Sequence, residues 1–190
     1  MVTSTPMASG SPLRKTRRRF ENPAEARFLT FSCYRRLRLF DNDRIKDAFL
    51  DELARAREAT GFLLLGYVVM PEHVHAVVAP KLPDAPIPRV LRVLKGPFAH
   101  RVLTRWEELH APVLANLIDA SGQRRFWQPG GGYDRNVRVD GELVEKLDYM
   151  HANPVKRGLV GRPTDWRWSS APWYAGLRDA ALRIDEVPLW

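Results

Sequence analysis

Apolar and polar positions change rhythm several times along the chain, and each change marks an element. "ARFLTFSCYRRLRLF" (Ala26 to Phe40) is rich in aromatic and apolar residues and predicts a first strand. In "NDRIKDAFLDELARAREATG", Ile45, Ala48, Phe49, Leu53 and Ala56 recur at helical spacing behind Asn42 or Asp43 as cap. The pattern stops at Gly61, so an amphipathic helix is expected. "FLLLGYVVM" (Phe62 to Met70) is almost continuously apolar; Pro71 and Glu72 interrupt it as turn residues, and "HVHAVVAP" resumes it. The short break predicts a hairpin. A Pro-rich loop, "KLPDAPIP", leads into "RVLRVLKGPFAHRVLTRWEEL", a helical pattern that Gly96 and Pro97 should kink or split. "APVLANLIDASGQRR" is poorly periodic and reads as an inserted loop. "RFWQPGGGYDRNVRV" joins a three-glycine turn to a strand-like end, and "DGELVEKLDYMHANPVKRGLV" predicts a helix that begins after Asp140 and is disturbed at Pro154. The Trp-rich segment with Trp166, Trp168 and Trp173 is expected to pack on the domain.

The order strand, helix, strand, strand, helix, strand, helix is that of the split βαβ, ferredoxin-like arrangement. The expected fold class is therefore α+β: an antiparallel sheet with helices packed on one face, and one more helix after the last strand.

The length of 190 residues suits one sizeable domain. Residues 1–22 contain "RKTRRR" (Arg14 to Arg19) and little that could enter a core, so a disordered basic arm is expected there. Residues 23–175 form the expected domain and 176–190 a C-terminal tail. No apolar run of about 18 residues exists, which speaks against a membrane span, and the N-terminus lacks the apolar stretch of a secretory signal. A single cysteine, Cys33, excludes an intrachain disulfide and fits a reducing cytosol. Charge changes the picture more. Thirty Lys and Arg stand against 22 Asp and Glu, a net charge of +8. Most of the excess is arginine, whose planar fork matches phosphate, so nucleic acid is a natural partner.

Candidate chemistry centres on His73 and His75. On a strand, residues two apart share a face, so the two imidazoles project side by side while Val74 faces away. Two neutral imidazoles begin a divalent-metal site but do not complete one. Tyr149 and Asn153, four apart in "LDYMHANP", share a helix face. Asn153 offers a carbonyl oxygen to a hard cation such as Mg²⁺ or Mn²⁺, and a tyrosine hydroxyl beside it is a known type of covalent nucleophile. Pro154 pulls the other way, because it biases Asn153 out of helical geometry. On the residues alone, a pair of ordinary strand histidines and a tyrosine half-buried against the sheet remain open alternatives. His151 lies on another face, structural or DNA-facing.

Three ordered blocks, "YVVMPEHVHAVV", "FWQPGGGYDRN" and "LDYMHANPVKRGLV…DWRWSS", together resemble the REP-associated tyrosine transposases, a branch of the single-tyrosine HUH (His, hydrophobe, His) transposases. The resemblance runs from about Arg27 to Ala171. It implies a ferredoxin-like catalytic domain that nicks single-stranded DNA at REP-type hairpins and rejoins it. It implies that His73 and His75 hold a divalent metal, Mg²⁺ or Mn²⁺. It implies that Tyr149 attacks the scissile phosphate to give a 5′-phosphotyrosine, and that Asn153 completes the metal site, where many transposon relatives carry glutamine. A catalytically silent regulator that binds DNA or RNA hairpins is the alternative. The implied partner is single-stranded hairpin DNA, the implied state monomer or homodimer, and the implied location the bacterial cytoplasm, on the nucleoid when DNA-bound. A folded single strand must then be gripped beside the site. Tyr133 suits base stacking, and Arg135 and Asn136 follow the flexible glycine turn. Lys156 and Arg157 follow the catalytic helix, and Arg35 and Arg36 stand at the end of the first strand.

Overall fold

The structure, a computed structural model, describes residues 25–81, 83–130, 132–137, 141–177 and 180–186. The basic arm expected over residues 1–22 lies outside them.

Strand β1 spans Ala26–Ser32 and ends well before Phe40. The backbone turns left-handed at Arg35 (φ 51°) and Arg36 (φ 53°), inside a short 3-10 turn over Tyr34–Arg36. That conformation cannot continue a strand, so Arg35 and Arg36 stand on a turn rather than a strand end. The apolar residues that suggested strand, Tyr34, Leu39 and Phe40, are buried from the turn instead. Helix α1, Asp43–Thr60, starts where the Asn42 side chain accepts the Arg44 N–H and stops at Gly61 in the left-handed region (φ 67°). It buries Phe49, Leu53 and Ala56. Strands β2, Leu63–Met70, and β3, His73–Ala79, form the expected hairpin across Pro71 and Glu72.

Helix α2, Ile87–Glu108, begins inside the segment expected as loop and runs unbroken through Gly96 and Pro97. The predicted split does not occur, and magnitudes explain why. An internal proline costs about 3 kcal/mol. Burial of Val90, Leu91, Leu94, Phe98 and Val102 along one stripe returns about 1.5–3 kcal/mol per large side chain. The poorly periodic segment that follows holds a 3-10 turn over Pro112–Leu117 and a tight turn in which the Asp119 carboxylate accepts the N–H groups of Ser121 and Gln123. Strand β4 spans Tyr133–Val137, helix α3 Gly141–His151 and helix α4 Asn153–Lys156.

The four strands lie in the order β2-β3-β1-β4, every neighbouring pair antiparallel, which is the split βαβ order. Helices, however, cover both faces. On one face Leu29, Phe31, Val69, Val74, Ala76 and Val78 pack with α1 and α2 around Phe40, Phe49, Phe98, Phe126 and Trp127. On the other, Phe28, Val68, Met70, Val77 and Val137 meet Leu143, Leu147 and Met150 of α3. The expectation of helices on one face is corrected by the hairpin itself. β2 and β3 are buried along nearly their whole length on both sides, and such strands need two covers. α3 comes close because β2 has Gly66 beneath it: a Cβ there would collide with Leu147 and Met150.

The segment after α4 lies along the outer edge of β2. The Val69 N–H donates to the Trp168 carbonyl and the Ser170 N–H to the Tyr67 carbonyl. The Trp166 indole donates to the Val69 carbonyl and the Trp168 indole to Asp47, so both tryptophans serve packing, as expected. Among the described residues no helix is long and apolar enough to cross a membrane.

Candidate active site

The register of β1 against β3 sets Thr30 opposite His75 and Ser32 opposite His73, with Phe28 opposite Val77. These side chains share the face covered by α3. Both histidines are nearly buried, at 7% and 5% exposure. Their Nε2 atoms lie 3.0 Å apart with the rings almost perpendicular. Thr30 Oγ1 is 2.8 Å from His75 Nδ1, and Glu72 Oε1 is 3.2 Å from His73 Nδ1. Burial pulls the pKa of His73 below its usual value against the opposing pull of Glu72. Burial, with His73 and Arg36 nearby, brings His75 down to about 3. Both rings are therefore neutral at neutral pH, the form that ligates metal.

Tyr149 reaches this floor from α3. It is half exposed, and its ring stands edge-on to Phe28 (6.3 Å between centroids) and His75 (6.0 Å). The Lys156 ammonium sits 5.5 Å from the Tyr149 ring centre. α3 ends at His151 and α4 opens at Asn153 after a single residue, Ala152, that itself keeps right-handed helical geometry. Pro154 therefore interrupts the helix but does not take Asn153 out of it, contrary to the expectation, because the second position of a new helical turn needs no N–H from proline. The Asn153 Nδ2 donates to the Tyr149 carbonyl at 3.1 Å, so Oδ1 is the atom it could offer to a ligand. The two helices are thus tied at the joint that carries both residues.

A cleft of about 490 Å³ gathers His73, His75, Tyr149, Asn153, Tyr133, Arg36 and Arg157. Lys146, Phe28, Thr30 and Ser32 also line it, none of them singled out in the sequence. Lys146 was within reach of a helix-spacing argument, one turn before Tyr149; the β1 residues needed the register. Four predicted DNA-contacting residues stand outside the cleft lining. Arg35 lies over the Tyr34 ring while its N–H donates to Gln128. Arg135 pairs with Glu142 at 2.8 Å. Asn136 bonds Glu25 and stands opposite Arg27, on the other face of β4 from Tyr133. Lys156 covers Tyr149. His151 is buried and bonded to Ser170 Oγ (2.8 Å), so its place is structural. Glu72 is more than a turn residue: its buried carboxylate meets Arg157 at 2.9 Å and Arg36 at 3.8 Å as well as His73. Burial pushes the Cys33 thiol up to about 12, which leaves it inert as a nucleophile.

The donor set fits a hard divalent ion. Two ligand atoms about 2.1 Å from one octahedral ion and at right angles lie about 3 Å apart, the spacing of the two Nε2 atoms. Among the described residues no three His, Cys, Asp or Glu side chains are placed to hold one metal ion between them, so the remaining ligands would be the Asn153 amide oxygen, phosphate and water.

No protein-family model matches the chain. A Haemophilus influenzae protein provisionally named a REP-associated tyrosine transposase is 26% identical over 145 residues, 75% of this chain and 77% of that one. The REP-associated tyrosine transposase of Escherichia coli is 28% identical over 109 residues, 57% of this chain and 54% of its own length. The chain is similar to REP-associated tyrosine transposases. A solved structure of such a REP-associated tyrosine transposase bound to a REP hairpin shares the fold, with a TM-score of 0.65, 22% identity, and 93% of this chain and 95% of that one covered.

Proposed function

We propose that the chain is a REP-associated tyrosine transposase: a metal-dependent endonuclease and strand transferase that works on single-stranded REP-type hairpins through a 5′-phosphotyrosine. The observation that carries this is the meeting of Tyr149 and Asn153, from one end of the chain, with His73 and His75, from the middle of it, in one cleft. A divalent ion held by His73, His75 and Asn153 would neutralise charge on the scissile phosphate. The Tyr149 hydroxyl oxygen attacks phosphorus in line and gives up its proton. A bond from Tyr149 oxygen to phosphorus forms, the bond from phosphorus to the 3′ oxygen breaks, and that oxygen takes up a proton to leave a free 3′-hydroxyl. One phosphodiester replaces another, so the reverse attack by a 3′-hydroxyl rejoins strands without ATP. Arg36 and Arg157 at the mouth of the cleft suit the flanking phosphates. Such an enzyme works in the bacterial cytoplasm, on the nucleoid.

The test is a covalent adduct between the protein and a labelled REP-type hairpin in Mn²⁺. Wild type should form it and Tyr149→Phe should not. An adduct that forms equally well with Tyr149→Phe rules out the nucleophile. Tight hairpin binding with no adduct in any divalent metal is what a catalytically silent regulator would give.

A further inference from the structure

We infer that Glu72 and Thr30 are positioning residues that set which nitrogen of each histidine carries the proton, and so prepare the pair for a cation. The inference rests on the reading of His73 and His75 as metal ligands. An imidazole that ligates through Nε2 must carry its proton on Nδ1, and an acceptor beside Nδ1 fixes both tautomer and ring orientation. Each histidine has such a neighbour. Glu72 Oε1 lies 3.2 Å from His73 Nδ1, and Thr30 Oγ1 lies 2.8 Å from His75 Nδ1.

The two neighbours differ in kind. A carboxylate only accepts, so its nearness favours His73 with its proton on Nδ1, although at 3.2 Å the two are in ion-pair contact and not aligned as a hydrogen bond. Glu72 is itself 4% exposed, and the guanidinium of Arg157 at 2.9 Å supports its charge. His73 Nε2 is then a bare lone pair aimed at His75 Nε2, 3.0 Å away. Without a cation, His75 satisfies that lone pair by carrying its proton on Nε2, and its Nδ1 accepts from the Thr30 hydroxyl. Were both Nε2 atoms to serve as ligands, the His75 proton would have to sit on Nδ1 instead. A hydroxyl both donates and accepts, so Thr30 turns its proton away and accepts from Nδ1–H with no movement of β1 or β3. Glu72 is thus the fixed partner and Thr30 the reversible one. The number of protons on the pair is the same before and after, one per ring.

The full chain labelled with ¹⁵N-histidine reads the tautomers directly. In the metal-free protein His73 should carry its proton on Nδ1 and His75 on Nε2, and Mg²⁺ should move the His75 proton to Nδ1. Glu72→Gln, whose amide presents either atom, should give His73 a mixture of tautomers. Thr30→Val should weaken Mn²⁺ binding by about 10- to 100-fold in calorimetry, and Thr30→Ser should restore it. Melting temperatures in chelator establish that each variant is folded. A His73 proton on Nε2 in wild type, or Mn²⁺ binding by Thr30→Val as tight as wild type, overturns the inference while leaving the metal site standing. A wild-type chain that binds neither ion overturns the metal reading and this inference with it.

Discussion

Asn153 shows at the scale of one residue what neighbouring sequence reveals and what it hides. The tension between a ligand position and the Pro154 that follows it was legible, but its outcome was not: the interruption falls at Ala152 and Asn153 stays helical as the first residue of α4. That the amide nitrogen would bond back to the Tyr149 carbonyl, with the oxygen left over, depends on a geometry that no spacing rule contains. Glu72 was hidden for the same reason: it reads as a turn residue until the fold buries it between His73 and Arg157. The buried histidines make a prediction about pH. His151 is brought down to about 4 by burial, against a weaker opposing effect of Asp148, and His73 and His75 are lowered as well. Unfolded histidines titrate near 6.5. Between that value and the folded one the unfolded chain binds more protons, so stability is complete above about pH 6.5 and falls as pH drops toward 4. Each histidine costs about 1.4 kcal/mol per pH unit across its window. The metal-free protein should therefore show a melting temperature that declines from pH 6.5 to 4. His151→Asn, which can still bond Ser170, should make that decline shallower by the His151 contribution. An unchanged slope would mean that His151 does not stay neutral in the fold.

Between elements, the decisive relation is the seat of α3 on the sheet. The amphipathic helix α1 and the β2–β3 hairpin were readable because their signals are local: a cap, a period, a turn. The far face was less so. The nearly unbroken apolar run of the hairpin already demanded cover on both sides, yet only the register shows that the histidine face is the one α3 covers. The long reach assigned to β1 failed because apolar residues in a turn can be as buried as those in a strand, and α2 survived Pro97 because its stripe of contacts outweighs one lost bond. Gly66 is where this relation can be tested. Gly66→Ala forces α3 away from β2, and overpacking of this kind costs about 1–3 kcal/mol. Since Tyr149 rides on α3 and the histidines do not, adduct formation should fall by up to about a hundredfold, the scale of effect of a displacement near 1 Å. Hairpin affinity, measured in parallel, should change far less. Equal losses in both would mean that α3 positions DNA rather than the nucleophile.

For the whole molecule, charge was the clearest statement the sequence made. A net charge of +8 predicts binding that weakens steeply with salt. For single strands the logarithmic slope is about −0.7 per phosphate contact. Arg36→Ala, at an exposed guanidinium on the cleft, should reduce the magnitude of that slope by about 0.7, read by fluorescence anisotropy of a labelled hairpin across a salt series. A slope that does not change would place Arg36 off the DNA path. What composition could not announce is how the chain treats its own margins. β2 stands at the end of the strand order, and an unguarded strand margin is a template on which other copies can add strands. Here the Trp168–Ser170 stretch occupies it through main-chain bonds to Tyr67 and Val69. A chain cut before Trp168 would keep every residue of the cleft and yet expose that template. Its expected failing is insolubility, seen as large species in light scattering, rather than a damaged site, so lost activity in such a shortened chain would say nothing about chemistry.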